Sequence, residues 1–334
     1  MRSLNHVRKL LLVLGVALGG LLEVDGSASA AEPASTAGTG TLNVLFIGNS
    51  FTARHNLAQL VKTMAEAGNP GLKFNVTTVI YGGRTLRDHW RLGTQNFVKI
   101  STLSAADERA TIKSLEDAIA KNDKDNFAKS AMARHKELLR SLEAPHEKWD
   151  IVVLQSYRDD LNGDESLYVE YAPKFAELIH AQGGRVVLYE TTPTTQNDKP
   201  LTAPPDAAPV LAKAAVIAGL ARKIDADVVP MSIVALQCQQ VRPDLTLRFV
   251  NDGHLNQTMA YLTACTFYGV LFDRSPAGLP TDTVTDTRYI DAQHRDRDRG
   301  PIARSFSAQD RADLQRIAWE GIKQFRKLAA STKK

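Results

Sequence analysis

Short, uninterrupted apolar runs alternate with helical patterns along most of this sequence. Each run is rich in β-branched residues and is apolar at successive positions, not at every second one. Such runs are typical of strands that are buried on both faces of a parallel sheet. They predict five strands, at residues 42–47, 74–80, 151–154, 186–189 and 228–231.

Helical periodicity fills the segments between and after these runs. It predicts helices at residues 57–67, 105–142, 167–182, 209–224, 257–272 and 308–328. Strands that alternate with helices imply right-handed crossovers and therefore predict a doubly wound α/β fold. Residues 91–147 are long for one crossover, but they contain few large apolar side chains. We expect this insertion to be a solvated helical pair that caps the sheet, not a separate domain.

The first 30 residues have the pattern of a secretory signal peptide. Arg2, Arg8 and Lys9 precede an apolar stretch at residues 10–22, and small residues follow at 27–30. The stretch has about 13 residues, fewer than the roughly 20 that span a bilayer, although an N-terminal membrane anchor stays an alternative. We expect cleavage after Ala30, which gives a secreted or periplasmic protein with a flexible leader at 31–40 and one domain at 41–334.

Composition and charge narrow the class of protein. The 334 residues are 43% apolar and 23% charged, which is typical of a globular protein with a core that needs no disulfides. Removal of residues 1–30 lowers the formal charge from +4 to +3, and this mild, dispersed charge argues against nucleic-acid binding. The two cysteines, Cys238 and Cys265, could pair in an oxidising compartment or stay as buried thiols.

Polar residues follow several of the predicted strands. Ser50 comes soon after the first strand, Gly82 and Gly83 follow the second, Gln155 follows the third, and His254 precedes a late helix. Ligands of open parallel sheets bind outside the carboxyl ends of the strands, so we expect these residues to meet there. A serine, an imidazole and amide donors are the parts of a serine esterase.

The chemistry of ester hydrolysis assigns a role to each of these residues. Ser50 would be the nucleophile, and His254 would be the general base that takes its proton. The backbone N–H groups of Ser50 and Gly83 and the side-chain amide of Gln155 would form the oxyanion hole. Each residue alone also fits a helix cap, a turn or a buried amide, and their shared placement favours catalysis.

Four segments resemble the sequence blocks of the SGNH, or GDSL-like, hydrolases. VLFIGNSFT (44–52) is similar to the first block, YGGRTLRDHW (81–90) to the glycine block, WDIVVLQSY (149–157) to the third block, and HLNQTMAYLTACTFYGVLF (254–272) to the last block and its helix. The resemblance covers most of residues 42–280 and is closest to a bacterial branch with glutamine in the third block. It implies a three-layer, flavodoxin-like, five-stranded parallel sheet. It also implies Gly83 as the oxyanion glycine, with Gly82 as the alternative.

Asn49 stands where the first block of the family usually has aspartate, and two further departures from the family pattern matter more. Gln155 stands where the family usually has asparagine, and it offers the same amide on a longer arm. The last block usually reads Asp-x-x-His, but here Asn251 lies three residues before His254 and Asp252 lies two before it. Either Asp252 reaches the imidazole through a shifted loop, or Asn251 orients the ring without a charge. We favour Asp252.

The residues and the resemblance together predict a secreted serine esterase that acts through an acyl-Ser50 intermediate without a metal or other cofactor. The resemblance implies acetyl or short acyl esters of carbohydrates as substrates; we expect no nucleic-acid partner and no stable membrane span after cleavage. Two alternatives stay open: a non-catalytic glycan-binding relative, and a thioesterase or phosphoesterase on the same sheet. His55 and His89 could in principle hold a metal, but we expect them to be exposed to solvent.

Overall fold

The five predicted strands form one parallel sheet in the computed structural model, which describes residues 40–156, 166–191 and 196–331. The strands are β1 (Gly40–Gly48), β2 (Leu72–Ile80), β3 (Ile151–Leu154), β4 (Arg185–Glu190) and β5 (Ala226–Pro230). Their order in the sheet is β2-β1-β3-β4-β5, and every neighbouring pair is parallel. This is the flavodoxin-like order, whose ligand crevice lies where β1 and β3 diverge. The predicted fold class is confirmed.

Helices cover both faces of this sheet. They are α1 (Ser50–Ala53), α2 (Leu57–Gly68), α3 (Leu86–Arg91), α4 (Thr94–Val98), α5 (Ala105–Lys121), α6 (Asn126–Ser141), α7 (Leu167–His180), α8 (Ala208–Lys223), α9 (Met231–Val241), α10 (Gln257–Phe272) and α11 (Ala308–Ser331). A short 3-10 turn, Arg54–Asn56, joins α1 to α2.

Successive residues of β1 point into opposite layers of the fold. Val44 and Phe46 belong to a buried cluster with α2, α10 and most of α11. Leu45 and Ile47 belong to a second buried cluster with α7 and α8. Because both faces of the strand are covered, every position from 44 to 47 is apolar, which explains the uninterrupted run in the sequence.

The insertion is a helical pair, with one difference from the expected single stretch at 105–142. The chain turns between α5 and α6, where the side chain of Asp125 accepts a hydrogen bond from the N–H of Ala128 and so caps α6. The two helices pack against each other. They follow α3 and α4, which connect the end of β2 to α5.

Helix α9 was not expected, because its sequence lacks a polar face. Ile233 and Leu236 pack into one buried cluster, whereas Val234 and Ala235 pack into the other. A helix that is buried on opposite sides shows no amphipathic period.

The segment between α10 and α11, for which no element was predicted, contains two short strands. Strands β6 (Thr283–Thr285) and β7 (Ala303–Ser305) form a two-stranded antiparallel sheet. Residues 286–302 therefore form a loop whose two ends are held together.

The described residues lie within one compact unit, Ala37–Lys334. Within these ranges, no helix is both long and apolar enough to cross a membrane. Cys238 and Cys265 are both buried free thiols. The predicted signal peptide, nearly all of the leader, and Tyr157 lie outside the described residues.

Candidate active site

Ser50 lies in the turn where β1 ends and α1 begins. The preceding residue, Asn49, caps α1, because its side-chain oxygen accepts the N–H of Phe51 at 3.1 Å. Its side-chain nitrogen donates to the carbonyls of Arg84 at 3.1 Å and Ser156 at 3.2 Å. This one buried amide therefore ties the serine turn to the segments that follow β2 and β3.

The imidazole of His254 connects Ser50 to a carboxylate. Its Nε2 lies 2.8 Å from Oγ of Ser50, and its Nδ1 contacts Oδ1 of Asp252. An ionised carboxylate can only accept hydrogen bonds, so Nδ1 carries the proton and Nε2 accepts the Ser50 hydroxyl. This is the geometry that a base needs to remove the serine proton.

Asp252, not Asn251, contacts the imidazole. The loop turns tightly, and Oδ1 of Asp252 also accepts the backbone N–H of His254 at 3.2 Å. Asn251 instead donates its backbone and side-chain N–H groups to the carboxylate of Asp298, at 3.0 and 3.2 Å. A spacing of two residues is therefore enough for a carboxylate to reach the ring.

Arg54, which the sequence pattern did not reveal, contacts the other oxygen of Asp252. Its side chain is 1% exposed, and its Nη1 lies 3.6 Å from the buried carboxylate of Asp286. Nε of Arg297 lies 3.5 Å from the same oxygen of Asp252. Burial raises the pKa of Asp252, but the opposite effect of His254 and Arg54 is larger. The pKa of Asp252 therefore lies well below its usual value. Asp252 is therefore ionised, and its charge is shared between an imidazole and a guanidinium.

The glycine turn after β2 lines the same cleft as Ser50 and His254. The cleft has a volume of about 400 Å³. Gly83 has φ +67°, a left-handed conformation that favours glycine, and the space beside it is open. Within the described ranges, the backbone N–H groups of Ser50 and Gly83 form no hydrogen bond. Both are available to a substrate oxygen.

Gln155 does not reach this cleft, which corrects the expectation that its amide donates into the oxyanion hole. Its side chain has no exposed surface. Its Oε1 accepts the N–H of Asn49 at 2.8 Å and the hydroxyl of Thr52 at 3.0 Å, and its amide nitrogen donates to the Ser156 carbonyl. A Cβ at Gly48 would lie 2.5 Å from that oxygen, so only glycine leaves room for it. Gln155 therefore stabilises the serine turn from its buried side, through Asn49 and Thr52.

His55 and His89 are buried, so the expectation that solvent surrounds them is wrong. His89 lies under the end of β1, with Nε2 2.9 Å from the carbonyl of Gly48. Burial lowers its pKa to about 4. His55 places Nε2 2.8 Å from the carbonyl of Leu255. Both rings bond to backbone around the site, and neither lines the cleft.

Two solved structures are similar to this chain. A DUF4886 family protein from Bacteroides uniformis matches with a TM-score of 0.49 and 16% identity, over 85% of this chain and 95% of its own. A candidate SGNH hydrolase from Slackia heliotrinireducens matches with a TM-score of 0.39 and 17% identity, over 69% of this chain and 99% of its own. No protein-family model matches the sequence, and a search of curated proteins finds no significant match. Likeness at this level says nothing about function, which has to be inferred from the site.

Proposed function

We propose that this chain is a serine hydrolase that cleaves carboxylic esters through an acyl-Ser50 intermediate. The observation that carries the proposal is the contact of 2.8 Å between Nε2 of His254 and Oγ of Ser50, with Asp252 on the other ring nitrogen. The three side chains line one open cleft that has the size of a small-molecule site.

The proposed reaction begins when Oγ of Ser50 attacks the ester carbonyl carbon while its proton passes to Nε2 of His254. The N–H groups of Ser50 and Gly83 stabilise the resulting oxyanion. His254 then protonates the leaving alcohol as the C–O bond breaks. Water, deprotonated by the same nitrogen, attacks the acyl-serine ester; as the acyl–Oγ bond breaks, His254 returns this proton to Oγ of Ser50 and the acid leaves. Throughout, Asp252 stabilises the imidazolium.

Short acyl esters of carbohydrates are the substrates that we propose, and we also propose that the protein is secreted. The modest cleft and the resemblance of the sequence blocks support the first proposal, and the signal-peptide pattern supports the second. Sequencing the N-terminus of protein recovered outside the cytoplasm tests secretion, with Ala31 as the expected first residue. Recovery of uncleaved protein in the membrane fraction would contradict it.

Hydrolysis of p-nitrophenyl acetate by residues 31–334 tests the activity. Ser50→Ala should lower kcat/KM by a factor of about 10³ or more, because the nucleophile is lost. Asn251→Ala is the matched control in the same loop and should retain turnover. Equal turnover by the parent chain and Ser50→Ala would contradict the proposal, and loss of turnover on metal chelation would favour a metal-dependent hydrolase.

A further inference from the structure

Arg288 places a positive charge in the cleft beside the proposed catalytic residues. It is exposed and lines the cleft together with Ser50 and His254. Among residues 40–156, 166–191 and 196–331, no carboxylate or carbonyl accepts a hydrogen bond from its guanidinium. An uncharged ester has no need of this cation.

The neighbouring carboxylates are already occupied by other arginines. Asp252 contacts Arg54 and lies 3.5 Å from Arg297, and Asp286 lies 3.6 Å from Arg54. Three arginines, at positions 54, 288 and 297, thus share two carboxylates. Asp298, which accepts the N–H of Asn251, is a further carboxylate on this side, but no ion pair in the described ranges joins any of these carboxylates to Arg288, so its positive charge stays open to an anionic ligand.

The backbone of Arg288 is held in place by its own loop. Its N–H donates to the buried carboxylate of Asp286 at 3.0 Å. The N–H of Asp286 in turn donates to the carbonyl of Ile302 at 2.7 Å, and the N–H of Ile290 donates to the carbonyl of Arg295 at 2.9 Å. A ligand therefore needs to order only the side chain of Arg288, which lowers the entropic cost of binding.

We infer that Arg288 binds an anionic group on the substrate, so that the preferred substrates are esters that carry a carboxylate or a similar anion near the scissile bond. A guanidinium recognises a carboxylate through two parallel hydrogen bonds, which gives both affinity and orientation. The inference rests on the proposed function for the identity of the scissile group. Arg288 itself takes no part in proton transfer.

Pairs of esters that differ in one charge test this inference. For an anion on the alcohol portion, the pair is 4-acetoxybenzoate and its methyl ester. For an anion on the acyl portion, the pair is p-nitrophenyl hemisuccinate and p-nitrophenyl pentanoate. The ratio of kcat/KM between the charged and neutral members is measured for the parent chain, for Arg288→Gln and for Arg109→Gln. Arg109 is exposed on α5 and does not line the cleft, so it controls for net charge.

We expect Arg288→Gln to lower this ratio by about tenfold or more for at least one pair, because hydrogen bonds to charged groups contribute that much. Arg109→Gln should leave the ratio unchanged. An increase from 0.15 to 1 M NaCl should lower the ratio for the parent chain, since salt screens the attraction. Equal ratios in the parent chain and Arg288→Gln for both pairs would overturn the inference.

Binding to a Ser50→Ala background separates this inference from the proposed function. Calorimetry should show that Ser50→Ala binds the charged ester about tenfold more tightly than the neutral ester, and that adding Arg288→Gln removes the difference. Equal binding of both esters would overturn the role of Arg288 even if the parent chain hydrolyses neutral esters. Charge-dependent binding without any turnover by the parent chain would overturn the esterase and leave the anion site standing.

Discussion

Two histidine–carboxylate pairs in this molecule have similar hydrogen bonds but different surroundings. His254 contacts Asp252 through Nδ1, and its Nε2 faces Ser50 at the cleft, where 26% of the His254 side chain is exposed. His135 places Nδ1 2.6 Å from Glu108, and both of these side chains are fully buried between α5 and α6.

The groups that face Nε2 separate these two pairs. In His135, Nε2 lies 2.9 Å from the carbonyl of Leu92, which can only accept a hydrogen bond. That nitrogen must donate and has no lone pair for a substrate. In His254, Nε2 lies 2.8 Å from the hydroxyl of Ser50 and accepts a hydrogen bond from it. A histidine–carboxylate pair is therefore a sign of catalysis only where the far nitrogen meets a nucleophile in an open site.

The largest effect should come from His254→Gln. Loss of the general base should lower kcat/KM for p-nitrophenyl acetate by a factor of about 10³ or more. The free energy of unfolding should change by less than about 1 kcal/mol, because this side chain is partly exposed. Steady-state kinetics and urea unfolding measure the two quantities. If His254→Gln lowered the free energy of unfolding but left kcat/KM unchanged, His254 would have a structural role and not a catalytic one.

Asp252→Asn should lower kcat by a factor of about 10³, since the amide no longer fixes the tautomer of His254 or stabilises its charged form. Stability should also fall, because the buried Arg54 loses a counter-charge. The double variant Arg54→Met, Asp252→Asn removes both charges of this pair; it should regain only part of the stability, because the buried Asp286 then loses Arg54 as well, and it should regain no activity. Full activity in Asp252→Asn would remove this carboxylate from the mechanism.

His135→Gln should show the opposite pattern to His254→Gln. The buried carboxylate of Glu108 loses the imidazole and keeps only the amide of Asn96 as a side-chain donor, so the free energy of unfolding should fall by about 3 kcal/mol. The activity per folded molecule should stay within about twofold, because the pair lies outside the cleft. Adding Glu108→Gln should restore part of the stability. A His135→Gln protein of unchanged stability would contradict this view of the pair.

The smallest effect concerns a buried carboxylate without an imidazole. Glu190, at the end of β4, contacts the hydroxyl and the N–H of Ser232, and burial raises its pKa to about 7. Between its ordinary pKa of 4.5 and pH 7, the unfolded chain has lost this proton while the folded chain keeps it. Stability contributed by Glu190 is therefore lost as the pH rises through this window, by at most about 3 kcal/mol.

Urea unfolding of the parent chain and Glu190→Gln at pH 4.5, 6 and 7.5 measures this effect. Glutamine does not titrate, so the variant should gain stability relative to the parent chain as the pH rises. A constant difference across these three values would show that Glu190 ionises normally.

The residues of the site differ in how far the sequence could place them. The position of Ser50 could be predicted, because the end of an uninterrupted apolar run indicates where β1 ends and so places the next residues at the ligand edge of the sheet. His254 follows no strand, and it was predicted from the resemblance of the block that precedes α10. The direction of the Gln155 side chain could not be predicted, because an amide at a strand end can either face the cleft or bond to the neighbouring backbone. The role of Arg54 could not be predicted from any sequence motif, because its partner Asp252 lies 198 residues away in the chain.

The most direct test of the central claim is labelling of the folded chain with a fluorophosphonate, followed by intact-mass and peptide mass spectrometry. We predict one adduct per molecule, on Ser50. It should be absent in Ser50→Ala, about 10³-fold slower in His254→Gln, and formed at the parent rate by folded His135→Gln. No adduct on the folded parent chain, or equal labelling of the parent chain and His254→Gln, would contradict the proposal that His254 activates Ser50.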